Sequence, residues 1–388
     1  MFVSKHHYAI ELARRGNTVY FLDPPEQGES DLREPVNITP LPDAGNLFLV
    51  RHKLWFPYKL KFHALPLFHA GMRGHLKKIL KTIGEPIDIV WSFDLGNLYP
   101  LTYFTGVPRK IFHPVDEPLN PPAIASARGA DVIFSVTAEI LAKYKQYGLP
   151  AQFINHGVGA DFLASGGALS TAGDSAAGAP SFAGDNAGSG RPGLVRIGFS
   201  GNLLRNDIDR PTFLQIVREN PAVRFECWGS YKDRESNIGG VANDETRQFI
   251  AGLQASSNVV LHGPVPSGRL AKEIHGMDGF LICYDIKKDQ SGGTNYHKVM
   301  EYMSTGKVII SNNITTYKDR PELVVMTAER DHNRELPALF AQVIARLDQY
   351  NAPAAQLTRA GFARDNTYSK QVDRIQAHLE SIFPGRQQ

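Results

Sequence analysis

The 388-residue chain is short of several features that would direct a reading. It holds two cysteines, Cys227 and Cys283, each inside an apolar, strand-like run. Two isolated thiols of that kind exclude a disulfide framework and suit a reducing compartment. Neither CxxC nor HExxH spacing occurs, so the sequence carries no specific metal signature and none is expected. No apolar run approaches the roughly eighteen residues needed to span a bilayer. The start, MFVSKHHYAIELARRG, lacks the apolar stretch of an export signal and reads as helix, so a cytoplasmic location is expected. Charge of one sign is also in short supply: the formal net charge of +3 is too small to imply nucleic acid. What remains is an ordinary composition, 42% hydrophobic and 21% charged, which suffices for a core of normal size. The length suits two domains.

The pattern along the chain alternates. Ala9, Leu12 and Ala13 fall at helical spacing, with Gly16 where a helix cap is wanted, and NTVYFLDPP follows as a strand stopped by two prolines. IDIVWSFD, RKIFHPVDE, ADVIFSVTAE and AQFINHGV are short apolar runs with polar ends. Between them FHAGMRGHLKKILKTIG places Phe68, Met72, Leu76, Ile79 and Ile83 on one helical stripe. A second alternating set runs through LVRIGFSGNL, VRFECWGSY, NVVLHGPV, GFLICYD and KVIISNN, separated by four helical patterns. Strands alternating with helices predict an α/β fold of two Rossmann-like, doubly wound domains facing a cleft. The predicted boundaries are 1–163 for the first domain and 194–366 for the second. A last helix in 367–388 carries Val372, Ile375, Leu379 and Ile382 on one face and is expected to pack back on the first domain. Between the domains, about four-fifths of Ala164 to Gly193 is Gly, Ala, Ser, Thr or Pro, a composition that predicts a flexible linker.

Three stretches could carry chemistry. DQSGGTNYHKVMEYM is a glycine-bearing loop running into a helix. Gly292 and Gly293 would let a phosphate approach the backbone, and Lys298 adds a cation nearby. Glu301 lies three residues past Lys298 and four past His297, so the three share a helix face. A carboxylate there can accept two hydrogen bonds from a vicinal diol such as ribose; the same cluster also fits a solvated helix face. GFSGNLLRND is the second stretch: Ser200, Gly201 and Asn202 suit a tight strand-to-helix turn, with Arg205 and Arg210 available to phosphate oxygens. The third, FHPVDE, puts His113, Asp116 and Glu117 beyond a strand, where a general base for an acceptor hydroxyl would sit. Asp116 is the first choice, ahead of Glu117 and His113. His156 in INHGV is read as structural.

HKVMEYMSTGKVIISN resembles the glutamate helix of bacterial glycosyltransferases with the GT-B fold, which make polysaccharides and glycolipids of the cell envelope. KHHYAIELARRGNTVYFLDPP, VDEPLNPPAIASARGADVIFSVTAEIL, FINHGVGADF, GFSGNL, NVVLHGPVPSGRLAKEIHGMDGFLICYD and FARDNTYSKQVDRIQAHL fit the same group in the same order. The resemblance covers nearly the whole chain outside the linker. It implies a metal-independent transferase with a UDP- or GDP-sugar as donor and no tightly bound cofactor. It makes Glu301 the ribose ligand, lines the donor sugar and phosphates with Gly292, Gly293, Thr294 and the neighbouring Asn295, assigns Lys298 and Arg205 to the diphosphate, and puts Gly263 near the base. A sugar-nucleotide epimerase and a non-catalytic relative use the same fold.

Two departures from that group stand out. Many retaining members carry two glutamates eight apart, and the first would fall at Gly293. The group's first domain also begins with a strand ahead of its first helix, which suggests an upstream strand-coding stretch in the DNA. The acceptor implied is a glycan or a lipid-linked hydroxyl. Arg51 to Ile83 contains eight Lys/Arg and no Asp/Glu, with Trp55, Phe56, Tyr58 and Phe62 interleaved. That composition suits an anionic membrane surface on the inner face; it could suit RNA, but no recognition module accompanies it, so no nucleic acid partner is expected.

Overall fold

A computed structural model describes residues 4–26, 32, 34–42, 44–165, 194–232 and 243–384. Residues 166–193 of the expected linker lie outside them. The chain divides into two compact units: Met1–Gly157 with Gln290–His297 and Asn366–Gln388, and Val158–Asp289 with Lys298–Asp365.

The first unit carries two sheets. Strands β1 (Val19–Leu22), β2 (Val36–Pro40) and β3 (Leu47–His52) lie in the order β1-β3-β2, with β1 parallel and β2 antiparallel to β3. Strands β4 (Ile89–Ser92), β5 (Arg109–Phe112), β6 (Val132–Ser135) and β7 (Ala151–Phe153) form a separate parallel sheet in sequence order. Helix α1 (Ser4–Arg14) packs on both: Ala9 and Ala13 meet Val19, Phe21 and Leu47, while Tyr8 and Leu12 meet Trp91 and Phe93. Helix α2 (Leu60–His63) is short, and α3 (Leu65–Ile83) buries Phe68, Met72, Leu76 and Ile79, as its stripe predicts. It ends at Gly84, whose left-handed φ of 76° suits glycine and closes the last turn onto Leu80 O. Asn120 and Thr137 cap α4 (Pro121–Ala125) and α5 (Ala138–Lys143) by accepting from Ala123 N and Ile140 N.

The second unit holds six parallel strands: β8 (Val195–Ser200), β9 (Val223–Trp228), β10 (Val259–Gly263), β11 (Gly279–Ile282), β12 (Val308–Ser311) and β13 (Val325–Met326). Their order is β10-β9-β8-β11-β12-β13. Strand β11 and strand β12 are buried along their length, which fits apolar runs covered on both faces. The helices are α6 (Ala160–Ala164), α7 (Arg210–Glu219), α8 (Asp244–Ala255), α9 (Ser267–Ile274), α10 (Ile286–Asp289), α11 (Lys298–Ser304), α12 (Leu336–Ala345), α13 (Leu347–Tyr350) and α14 (Pro353–Asp365). The chain ends in α15 (Tyr368–Ile382), which returns to the first unit and packs Val372, Ile375, Leu379 and Ile382 against Ile111, Val132 and Phe134. Strand order reverses between β8 and β11, so the ends of those two strands flank the crevice where open α/β sheets take their ligands.

Candidate functional site

In the second unit, the polar groups gather at that reversal. Ser200 ends β8; its N–H donates to the Tyr302 hydroxyl at 2.7 Å and its own hydroxyl lies 2.9 Å from the same oxygen. The Lys298 ammonium is buried and donates to Ser200 O and to the Tyr284 hydroxyl. Burial lowers the Lys298 pKa, because the charged form is the costly one to desolvate. Lys298 therefore ties β8 to the end of β11. Arg205, which the resemblance assigns to diphosphate, forms a fork on Asp207, with Nε at 2.8 Å from one carboxylate oxygen.

Glycines close the neighbouring turns. Gly201 N donates to Trp228 O at 2.8 Å, and Gly229 N to Gly263 O at 2.9 Å. Gly229 has φ +130°, and a Cβ there would stand 1.9 Å from Gly201 O, a backbone atom with nowhere to go. Replacing Gly229 by Ala is expected to cost about 2 kcal/mol or more of stability, from the positive φ and the collision together; a urea denaturation series on the variant reads it. A cost near zero would mean that the two turns do not touch.

Glu301 lies in the first turn of α11, which starts at Lys298, so His297, expected on the same helix face, precedes the helix. It is partly buried, and among the described residues no hydrogen-bond donor meets its carboxylate. Desolvation pushes its pKa up to about 7, with the Lys298 charge opposing. A carboxylate that is costly to ionise and unmet by donors is a ready acceptor for ligand hydroxyls.

The loop Gln290–His297 belongs to the first unit. Asn295 Nδ2 donates to Val136 O at 2.9 Å and to Asn155 Oδ1 at 2.8 Å. His156 Nε2 donates to Asn295 O at 3.0 Å, so Nδ1 accepts from the Ser4 hydroxyl at 3.1 Å. His156 thus acts as a neutral strut between α1 and the loop, and burial lowers its pKa to about 4. His297 lies edge-on to its ring, and Thr294 is buried. Carboxylates rest on the glycines: a Cβ on Gly292 would be 3.3 Å from Glu117 Oε1, and one on Gly293 would be 2.3 Å from Glu139 Oε2.

The FHPVDE residues part company. Asp116 is exposed beyond β5. The Glu117 side chain is 4% exposed and paired with Lys143. His113 is fully buried in a box of Tyr8, Trp91, Phe93 and Phe134 rings, with no hydrogen-bond partner among the described residues on either ring nitrogen, and burial lowers its pKa to about 3.

Glu301, Lys298, Ser200, Gly201, Asn202, Arg205 and Gly263 therefore belong to the second unit, and Gly292, Gly293, Thr294, Asn295, His297, His113, Asp116 and Glu117 to the first. Sequence reading passed over Tyr284, Tyr302 and Glu139. Tyr284 closes a strand-end tip and Tyr302 adjoins Glu301, which were the available signals.

No family model matches the chain, and no curated protein matches its sequence. Solved structures do. A sucrose-phosphate synthase from Thermosynechococcus elongatus is 11% identical with a TM-score of 0.64, over 97% of this chain and 92% of its own. An α,α-trehalose-phosphate synthase (UDP-forming) from Burkholderia vietnamiensis is 14% identical with a TM-score of 0.64, over 98% and 96%. HepE from Anabaena, solved in complex with UDP, is 13% identical with a TM-score of 0.53, over 87% of each chain. The likeness is one of fold: the chain has the GT-B glycosyltransferase fold.

Proposed function

We propose that the chain is a glycosyltransferase that moves a sugar from a UDP- or GDP-sugar to an acceptor hydroxyl. The observation that carries this reading is Glu301, a partly buried carboxylate that no donor among the described residues meets, beside the strand reversal of a sheet whose fold houses nucleotide-sugar enzymes. Its two oxygens would accept from the ribose diol. Lys298 and Tyr302 would act as positioning residues, holding the end of β8 in place at the strand reversal. Arg205, half exposed and held by Asp207, would reach the diphosphate by exchanging that partner. In the first unit, Asp116 suits the role of base better than His113, because it is accessible and His113 is sealed among rings. No divalent cation enters this reading. For the acceptor we propose a glycan or lipid-linked hydroxyl, with residues 51–83 meeting an anionic membrane from the cytoplasmic side.

Calorimetric titration with UDP, GDP, ADP and dTDP tests the donor half. One nucleotide should bind selectively, and Glu301→Ala should weaken it about 10- to 100-fold through loss of two hydrogen bonds to a charged acceptor. Binding of none of the four by folded protein, or equal binding by the variant, would remove the donor site from Glu301. Turnover separates the enzyme classes: a transferase needs an acceptor before free nucleoside diphosphate appears, whereas an epimerase does not.

A further inference from the structure

Among the described residues ten large hydrophobic side chains are exposed, and the three most exposed lie within thirteen residues: Phe62 at 72%, Trp55 at 70% and Leu67 at 63%. Leu65, between two of them, is 49% exposed. Single exposed apolar side chains need no explanation, but a cluster does. The aromatics that the sequence interleaves with basic residues separate in the structure. Phe56 turns inward and packs on Phe68 and Met72, and Tyr58 lies against Phe68, while Trp55 and Phe62 point out. Their rings touch in series, Trp55 to Phe56 at 5.1 Å, Phe56 to Phe68 at 5.8 Å, Phe68 to Tyr58 at 5.7 Å and Tyr58 to Phe62 at 6.2 Å. The two outward rings therefore stand on a buried aromatic base. Leu67 opens the outer face of α3, and that face continues through Arg73, Lys77, Lys78 and Lys81, all exposed. The stretch holds no acidic residue.

We propose that this corner is a membrane anchor with a fixed orientation: Trp55, Phe62 and Leu67 enter the headgroup–acyl boundary of an anionic bilayer, and the basic face of α3 lies along its headgroups. Charge complementarity selects the occupant. Apolar tips beside four or more cations, in a stretch with no acidic residue, match an interface that is greasy below and negative above. A nucleic acid would take the cations and stack on the rings, but it offers nothing to Leu65 and Leu67. No helix among the described residues is long and apolar enough to cross a membrane, so the anchor is one that lies on the surface. The inference rests on the membrane-contact part of the reading above and not on the donor chemistry.

The test uses the full chain with vesicles of phosphatidylcholine alone and of phosphatidylcholine mixed with phosphatidylglycerol. Co-sedimentation is expected with the mixed vesicles only, weakening as salt rises. Trp55 emission should shift to the blue on binding, read as the difference between the native chain and Trp55→Phe, and should be quenched by brominated acyl chains. The triple variant W55A/F62A/L67A should bind at least about tenfold more weakly. K77E/K78E/K81E should lose the preference for anionic vesicles, at about fivefold or more per site. These side chains are exposed, so melting temperatures should hold and separate anchoring from folding. Binding to the mixed vesicles without a Trp55 shift would keep membrane contact and overturn insertion. No binding, equal binding to both vesicles, or capture of single-stranded RNA in their place would overturn both.

Discussion

From about pH 7.5 to about pH 5 the first unit is expected to lose on the order of 6 kcal/mol of stability, at about 2 kcal/mol for each of three histidines. His75, His113 and His156 are buried, and burial lowers their pKa values to about 4, about 3 and about 4. The sign follows from proton counting. In the unfolded chain each takes up a proton as pH falls through its ordinary range, while in the folded unit each stays neutral until the much lower folded value. The unfolded state therefore binds more protons through this window. The stability is present above the ordinary histidine pKa and is lost as pH falls toward about 4. A loss of that size rivals the whole stability of an ordinary domain.

His113 supplies the sharpest check. It accounts for about a third of the effect, and its aromatic box would accept a phenyl ring of nearly the same shape. His113→Phe should flatten the pH dependence by about 2 kcal/mol over the same interval, with little change at neutral pH. Amide hydrogen exchange read by peptide would follow β4 to β7 separately from β8 to β12. If protection in β4 to β7 were unchanged at the acid end, His113 and His156 would not be buried as described.

These histidines also mark where sequence reading stops. His113 looks like a catalytic candidate by its place after a strand, and nothing in FHPVDE says that four rings from other elements close over it. Spacing reports which face of an element a residue occupies, and that was enough for β1, β4 to β12, the α3 stripe and the α15 face. It did not find β2 and β3, although LFLVRH is apolar enough for a strand; the pairing partner that makes it one lies in VNITP, a run with a proline. Of the site, Glu301 with Lys298 and the Ser200–Asn202 turn stood out as two separate candidates, at a helix start and a strand end. The partners of Lys298 within the fold, Ser200 among them, were not legible. A lysine near glycines reads as a phosphate ligand, but its ammonium is met by Ser200 O and Tyr284, two groups that only the sheet order brings to it. Likewise the passage of the chain from one unit to the other between His297 and Lys298 has no local signature.

The second unit should respond to pH in the opposite sense, and one residue carries the expectation. Glu301 has a folded pKa of about 7, well above the ordinary glutamate value, because it is desolvated and only Lys298 opposes the shift. A carboxylate whose folded pKa is raised prefers the protonated form in the fold. Its contribution is favourable below the unfolded pKa and is lost as pH rises through about 7. Ionising it in the folded unit costs on the order of 3 kcal/mol above that point. Glu301→Gln removes the ionisation and keeps the shape, so at about pH 8 the variant should be more stable than the native chain by up to that amount, and at about pH 4 the two should be nearly equal. A stability cost held at one carboxylate needs a compensating use. Ribose hydroxyls donating to the ionised form would supply the missing hydrogen bonds and pull its pKa down. Nucleotide affinity should then rise with pH up to about 8 in the native chain and stay flat in Glu301→Gln, with a proton released on binding near neutrality. Measuring denaturation and nucleotide titration on both chains at three pH values joins the two effects. A variant less stable than the native chain at the alkaline end would show that Glu301 is already satisfied within the protein, and the diol assignment would fall with it.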